Sequence, residues 1–239
     1  MSPYTVDLHN HTPFVASDYK GPEGTTAMDL VKAAADAGID VLGITDHMSV
    51  GYFREVEQAA AEHRRLTGRE MLVVPGAEIK VVWAGDEAHM IALFPPETAE
   101  ARFRILADAL DARISGHPTH MLPRLKVEAD PVMVADLVTE LGGICHVAHA
   151  DRWFGAYRLV ESKMFGRITT QAPIGAVECL DVDSCAWLTG PEHGCRLIAS
   201  SDSHAPDEIG RRTTTMELSE LSFEALREAM RPRSATRSA

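Results

Sequence analysis

The chain has 239 residues, of which 45% are hydrophobic and 24% charged, the balance of an ordinary globular domain, and its formal net charge is −12. A surface of that sign repels nucleic-acid backbones and anionic membranes at long range, which argues against an extended nucleic-acid surface and a membrane partner. No apolar run approaches the roughly 20 residues of a membrane span, no charged and apolar leader opens the chain, and Cys145, Cys179, Cys185 and Cys195 form no CxxC pair; a cytoplasmic protein with buried, reduced thiols is expected.

Short apolar runs alternate with amphipathic helical patterns. In chain order the sequence predicts a strand at Tyr4–Asp7, then a helix at Thr26–Ala37 stopped by Gly38. A strand at Val41–Thr45, a helix at Tyr52–Leu66, a strand from Leu72 extending past Glu78 and a strand at Met90–Phe94 follow. A helix at Thr98–Ala112 leads into an irregular stretch, Gly116–Glu128. Asp130 then caps a helix at Pro131–Leu141, with proline at its first position. Strands at Ile144–Ala148, Ala176–Leu180 and Leu197–Ser200 and a helix at Phe223–Met230 complete the series. Strands alternating with helices imply parallel βαβ units. Polar residues at the strand ends favour a closed α/β barrel with its site at the C-terminal rim, the open doubly wound sheet being the alternative. One domain over residues 1–230 and a disordered tail over 231–239 are expected.

Histidine carries the chemical signal, with eleven in the chain. Residues two apart in a strand point the same way, so His9 and His11 of Asp7-Leu8-His9-Asn10-His11-Thr12 can face one ion. His47 ends the run Val41–Thr45 after Asp46, and Glu78 follows Pro75-Gly76-Ala77 as a carboxylate with two oxygens to share. His89 opens another apolar run. Of His146 and His149, three apart, only one can face inward. His149 lies at the strand end, and His146 is expected to be a core histidine with a backbone partner. Asp202 and His204 share one face after Leu197–Ser200. Each motif alone is weak, but a barrel brings strand ends together, and imidazoles and carboxylates at nearly every end predict a metal cluster.

The order Asp7-Leu8-His9-Asn10-His11-Thr12, Ile44-Thr45-Asp46-His47, Gly76-Ala77-Glu78-Ile79, Val147-Ala148-His149 and Ser201-Asp202-Ser203-His204 resembles the PHP family, named for polymerase and histidinol phosphatase members. The resemblance implies a distorted (β/α)₇ barrel holding two or three divalent ions. It implies His9, His11, Asp18, His47, Glu78, His89, His149, Asp202 and His204 as ligands, although Asp18 comes later than the family's acidic ligand usually does. Imidazoles and carboxylates without thiolate suit Mn, Fe or Zn. Glu78 through His89 looks like the branch containing AMP phosphatases, nucleoside 3′,5′-bisphosphate phosphatases and 5′→3′ exoribonucleases, with its helical insert shortened to roughly Ala112–Asp130.

The implied activity is hydrolysis of a phosphate ester by metal-activated water. A phosphomonoester of a small molecule, a nucleotide or something like histidinol phosphate, is the first expectation. Alternatives are a phosphodiesterase or exoribonuclease on short oligonucleotides, an amidohydrolase-type enzyme and a non-catalytic metal-binding module. Asp46 is a candidate proton carrier and Arg152 a candidate catalytic and phosphate-binding residue, with Lys20 and Arg211, and behind them Arg167 and Arg212, as further phosphate donors. Asp151 is a second candidate carrier, His117 and His120 are candidate substrate contacts, and Trp153 is a candidate base-stacking surface. A small phosphorylated substrate is the expected partner, and the sequence leaves homo-oligomerisation open.

Overall fold

A computed structural model describes residues 1–15, 18–83, 85–110, 126–152, 163–190 and 193–231. Its strands are β1 (Ser2–Asp7), β2 (Val41–Ile44), β3 (Leu72–Trp83), β4 (Asp86–Leu93), β5 (Lys126–Glu128), β6 (Ile144–Val147), β7 (Ala176–Glu178), β8 (Leu197–Ile198) and β9 (Thr214–Leu218). Its helices are α1 (Ala27–Asp36), α2 (Phe53–Thr67), α3 (Ala99–Ala109), α4 (Pro131–Glu140), α5 (Lys163–Gln171) and α6 (Phe223–Ala229). The sheet runs β8-β7-β6-β4-β3-β2-β1-β9, with β5 added beside β3. Beyond the named strands the two edges meet. Asn10 forms a parallel bridge with Ser203, and the Thr214 hydroxyl donates to the Ala199 carbonyl and accepts from the Ala199 N–H. The mixed α/β, nearly closed barrel agrees with the fold class expected.

The helices start and stop where local chemistry tells them to. Thr26 and Asp29 form a reciprocal capping box on α1, Asp130 accepts from the Val132 N–H at the start of α4, and Gly68 ends α2 at φ 78°. The all-parallel expectation does not hold. β3 and β4 form an antiparallel hairpin turning at Gly85 (φ 88°), β4 also runs antiparallel to β6, and β1 pairs antiparallel with β9. The physical reason is connection length: two residues between β3 and β4 close a hairpin but cannot carry a parallel crossover. Glu78 therefore lies inside β3, and the residues after it stay paired with β4 on one side and β5 on the other.

Alternation along the strands divides the core in two. One cluster packs the outer sheet face against the helices, including Leu30 and Val31 of α1, Phe53 of α2, Phe103 of α3 and Val134 of α4. The other draws Val6, Val41, Val74, Ile91, Ile144, Ala176, Ile198 and Met216 into the barrel, where Phe223, Leu226 and Met230 join them. Met230 lies so close over Gly175, at the start of β7, that a Cβ there would come within 2.5 Å of its carbonyl oxygen. The end of the barrel beside α6 is thus sealed by apolar packing. Among the described residues no helix is long and apolar enough to cross a membrane, and all four cysteines are buried and free. The loop expected over Gly116–Glu128 lies outside the described residues except for β5, as do the insert region 112–125 and the tail 232–239.

Candidate metal centre

The opposite end of the barrel buries polar groups. After β1 the chain stays extended, so His9 and His11 share one side while Asn10 turns to the scaffold. The Asn10 amide nitrogen donates to the carbonyls of Asp7 (3.2 Å) and Gly43 (3.1 Å), and its backbone N–H donates to Thr45 Oγ1. Glycine is required at 43 because a Cβ would lie 2.5 Å from the Leu8 carbonyl oxygen. Thr12 donates to Asp46 through its N–H (2.8 Å) and its hydroxyl (2.6 Å), and the Glu78 N–H donates to the Asp46 carbonyl. Met48, His149 and Asp202 have φ of 49°, 27° and 49°, sparsely populated for residues with a side chain. All three are ligand candidates or neighbours of one, and such strain persists only where surroundings enforce it.

Glu78 stands at the middle. Its Oε2 is 3.0 Å from His47 Nδ1, 3.4 Å from His11 Nε2 and 3.6 Å from His9 Nε2, and its Oε1 is 2.5 Å from His89 Nδ1 and 3.2 Å from His149 Nε2. Asp202 Oδ1 lies 3.3 Å from His11 Nε2 and 3.5 Å from His9 Nε2. Asp18 Oδ2 lies 2.6 Å from His47 Nε2 and 3.4 Å from His204 Nε2. All nine residues proposed from the motifs fall into interlocking trios whose donor atoms lie within 4.8 Å of one another. His9 Nε2, both ring nitrogens of His11, His47 Nδ1 and His149 Nδ1 are buried without a hydrogen-bond partner among the described residues. Buried imidazole nitrogens normally find a partner, so a set of unmatched lone pairs around two carboxylates fits divalent ions.

Charge in the cluster is finely divided. Burial opposes a charged His9, but Glu178, Asp202 and Glu78 outweigh it and hold the ring well above the usual imidazole value. Burial pulls His11 down to about 4. Burial opposes a charged His47, but Glu78 and Asp18 together outweigh it and raise the ring to about 9. Against burial, His47, His89 and His9 hold Glu78 well below the carboxylate range, and His9, His11 and His149 together do the same for Asp202. The carboxylates here demand cationic neighbours, which protons or metal ions can supply.

A cleft of about 270 Å³ opens over this cluster, lined by seven of the nine residues (not His9 or His11) and by Lys20, Lys80 and Arg152. Arg152 donates to Asp202. Arg211 does not line the cleft; it pairs with Glu208 at 3.2 Å. Arg167 binds Asp130 at the start of α4, and Arg212 offers its carbonyl to Ser201. Asp46 sits behind His47 and does not line the cleft; burial pushes its carboxyl up to about 7 against the Thr12 hydrogen bonds. Asp151 accepts from the N–H groups of Leu180 and Asp181, fixing the loop after β7. His117, His120 and Trp153 lie outside the described residues.

Two residues differ from expectation or escaped it. His146 is buried, but neither ring nitrogen has a hydrogen bond to backbone or side chain among the described residues; its Nε2 lies 3.8 Å from Glu178. Glu178, not singled out in the sequence, is fully buried. Its oxygens lie 3.1 and 3.2 Å from His9 Nδ1, and Oε1 accepts the His149 N–H at 3.0 Å. The available signal was a lone carboxylate inside an apolar strand, which must be paired if buried.

Comparison with known proteins places these features in context. The family model described as PHP domain matches residues 7–152, and one described as PHP-associated matches residues 191–234. The 5′-3′ exoribonuclease Rnm of Salmonella typhimurium is 31% identical over 125 residues, which span 46% of this chain and 39% of that protein. The lesion-specific endonuclease PfuEndoQ of Pyrococcus furiosus superposes with a TM-score of 0.68 at 19% identity, over 96% of this chain and 56% of that one. A Bifidobacterium adolescentis protein, provisionally described as a metal-dependent phosphoesterase, gives 0.61 at 17% identity over 94% of both chains. The chain therefore spans about half or less of the first two relatives. These likenesses overturn the expectation of a small-molecule partner and no nucleic-acid surface: one relative is an exoribonuclease, and an Endonuclease Q structure holds a 27-mer duplex. The charge argument failed because a sum over the whole chain does not report the field at one cleft. Of the branch suggested by Glu78 through His89, a 5′-3′ exoribonuclease is among these relatives, and the AMP-phosphatase-like character is not confirmed.

Proposed function

The chain belongs to the PHP domain family, and from that premise we propose that it is a metal-dependent phosphoesterase whose ions are held by His9, His11, Asp18, His47, Glu78, His89, His149, Asp202 and His204. One observation carries the reading: nine side chains from distant parts of the sequence bring donor atoms within 4.8 Å of one another in interlocking trios, and ring nitrogens of His9, His11, His47 and His149 have no hydrogen-bond partner among the described residues. Two or three divalent ions, of Mn, Fe or Zn type, would supply Lewis acidity to the phosphoryl oxygens and a lowered pKa to water.

The chain's own groups divide the remaining work. With its proton on Nδ1, His9 donates to Glu178 and keeps Nε2 as the ligating atom. Asp46 holds Thr12 and the turn carrying His11, so it acts on position rather than as a proton carrier. Arg152, already turned to Asp202, can offer its outer N–H groups to a phosphoryl oxygen, and Lys20 adds charge from the loop.

The ester is read as one carried by a nucleotide unit, in a strand or at its end. The open cleft with cations on its rim and the nucleic-acid enzymes among the relatives support that reading. A phosphomonoesterase is the second reading, since the same donor set serves a terminal phosphate. Manganese-loaded protein would be assayed on p-nitrophenyl phosphate, bis-p-nitrophenyl phosphate, a 5′-phosphorylated oligonucleotide and an anilide. Turnover of phosphate esters alone supports the proposal. Anilide turnover without phosphoester turnover would favour an amidohydrolase, and full metal loading without any turnover would favour a non-catalytic module.

A further inference from the structure

We propose that Lys80 anchors a phosphoryl oxygen of the substrate at the mouth of the cleft; the inference rests on the phosphoesterase reading and names a binding residue for it. Lys80 is two residues beyond Glu78 on β3, so both side chains leave the same face of the strand. Its direct partner across the hairpin is His89, whose ring reaches Glu78, which fixes that face as the one turned to the metal cluster. The intervening Ile79 and the following Val81 are completely buried on the other face. Lys80 is half-buried and lines the cleft, and its charge is felt at His47.

The three cations of the cleft are not equivalent. Arg152 stands in the loop after β6, and Lys20 stands exposed in the loop before α1. Lys80 alone stands on a strand paired on both sides, by β4 and by β5, so its backbone is the most firmly placed of the three. An ammonium on a rigid wall beside a carboxylate-rich cluster suits a point-charge contact to an anionic oxygen. It would act in the bound ground state and the transition state alike, which raises affinity more than turnover.

The test uses full-length, manganese-loaded protein, with p-nitrophenyl phosphate as substrate and inorganic phosphate as competing ligand. Lys80→Met is expected to raise KM and the phosphate inhibition constant about tenfold or more, as for a lost hydrogen bond to a charged group. Lys80→Arg is expected to recover most of the loss, with kcat, manganese content and thermal midpoint close to those of the unchanged protein in both variants. An unchanged KM and inhibition constant in Lys80→Met would overturn the inference. So would a loss of bound manganese that accounts for the change, since the lysine would then act through the ligands. If the unchanged protein hydrolyses no phosphate ester, the phosphoesterase reading falls by itself. Calorimetric binding of phosphate to the folded variants still decides the lysine, and equal affinity with and without it would count against the inference.

Discussion

The two ends of the barrel are built from the same strands and obey opposite rules. At the end beside α6, Ile144, Ala176, Phe223, Leu226 and Met230 pack apolar surface against apolar surface. At the other end His9, His11, His47, His149 and Glu78 are equally buried, yet five ring nitrogens among them lack a hydrogen-bond partner among the described residues. An unsatisfied buried polar group costs about 1–3 kcal/mol, so the rim accepts a penalty that the sealed end avoids. Three non-glycine residues at positive φ, all at the rim, add strain in the same place. Stability resides in one end and capacity for chemistry in the other.

That contrast can be broken by mutation. Asp202→Ala and His9→Ala should abolish turnover and lower metal content while the protein stays folded; full activity in either would refute the ligand assignment. At the sealed end Leu226→Ala, at a site with no exposure, should cost about 2–5 kcal/mol in denaturant unfolding. The metal content of the folded fraction should not change, and a fall in it would show that the two ends are not separable. Glu178→Gln keeps shape and burial but weakens the grip on His9 Nδ1, and metal affinity should fall about 10–100-fold. Affinity equal to that of the unchanged protein would reduce Glu178 to packing.

The pH dependence of metal uptake sharpens the same point. In the metal-free protein His47, held at about 9 by Glu78 and Asp18 together against burial, carries a proton at neutral pH. That proton must leave before the nitrogen can bind a metal, so affinity should rise as pH climbs toward about 9 and uptake should release protons. Calorimetry in buffers of different ionisation enthalpy reads this directly, and uptake without proton release would contradict it. The smallest effect belongs to the outer layer: Thr26→Ala, which removes the α1 cap, should cost about 1 kcal/mol in thermal unfolding and leave turnover intact.

The rim was legible in the sequence because ligand candidates stand at the ends of apolar runs, and period-2 spacing tells which of them share a face. His9 with His11, and Asp202 with His204, needed no more than that. Glu178 was less visible because it lies inside the run Ala176–Cys179, where the eye reads a strand. The strand directions were misread because alternation of strands and helices implies crossovers, while the short Gly85 connection dictates a hairpin. β9 escaped because a strand closing the barrel edge alternates exposed Thr215 and Glu217 with buried Met216 and Leu218, a pattern too short and polar to separate from a loop. α5 contains Gly166 and the β-branched Ile168, Thr169 and Thr170, which weaken its helical signature.

Anomalous diffraction from manganese-loaded crystals tests the central claim most directly. The account predicts peaks inside the ring formed by His9, His11, Glu78 and Asp202, and beside Asp18 and His204. Manganese bound elsewhere, with those imidazoles paired to one another or to water, would contradict it.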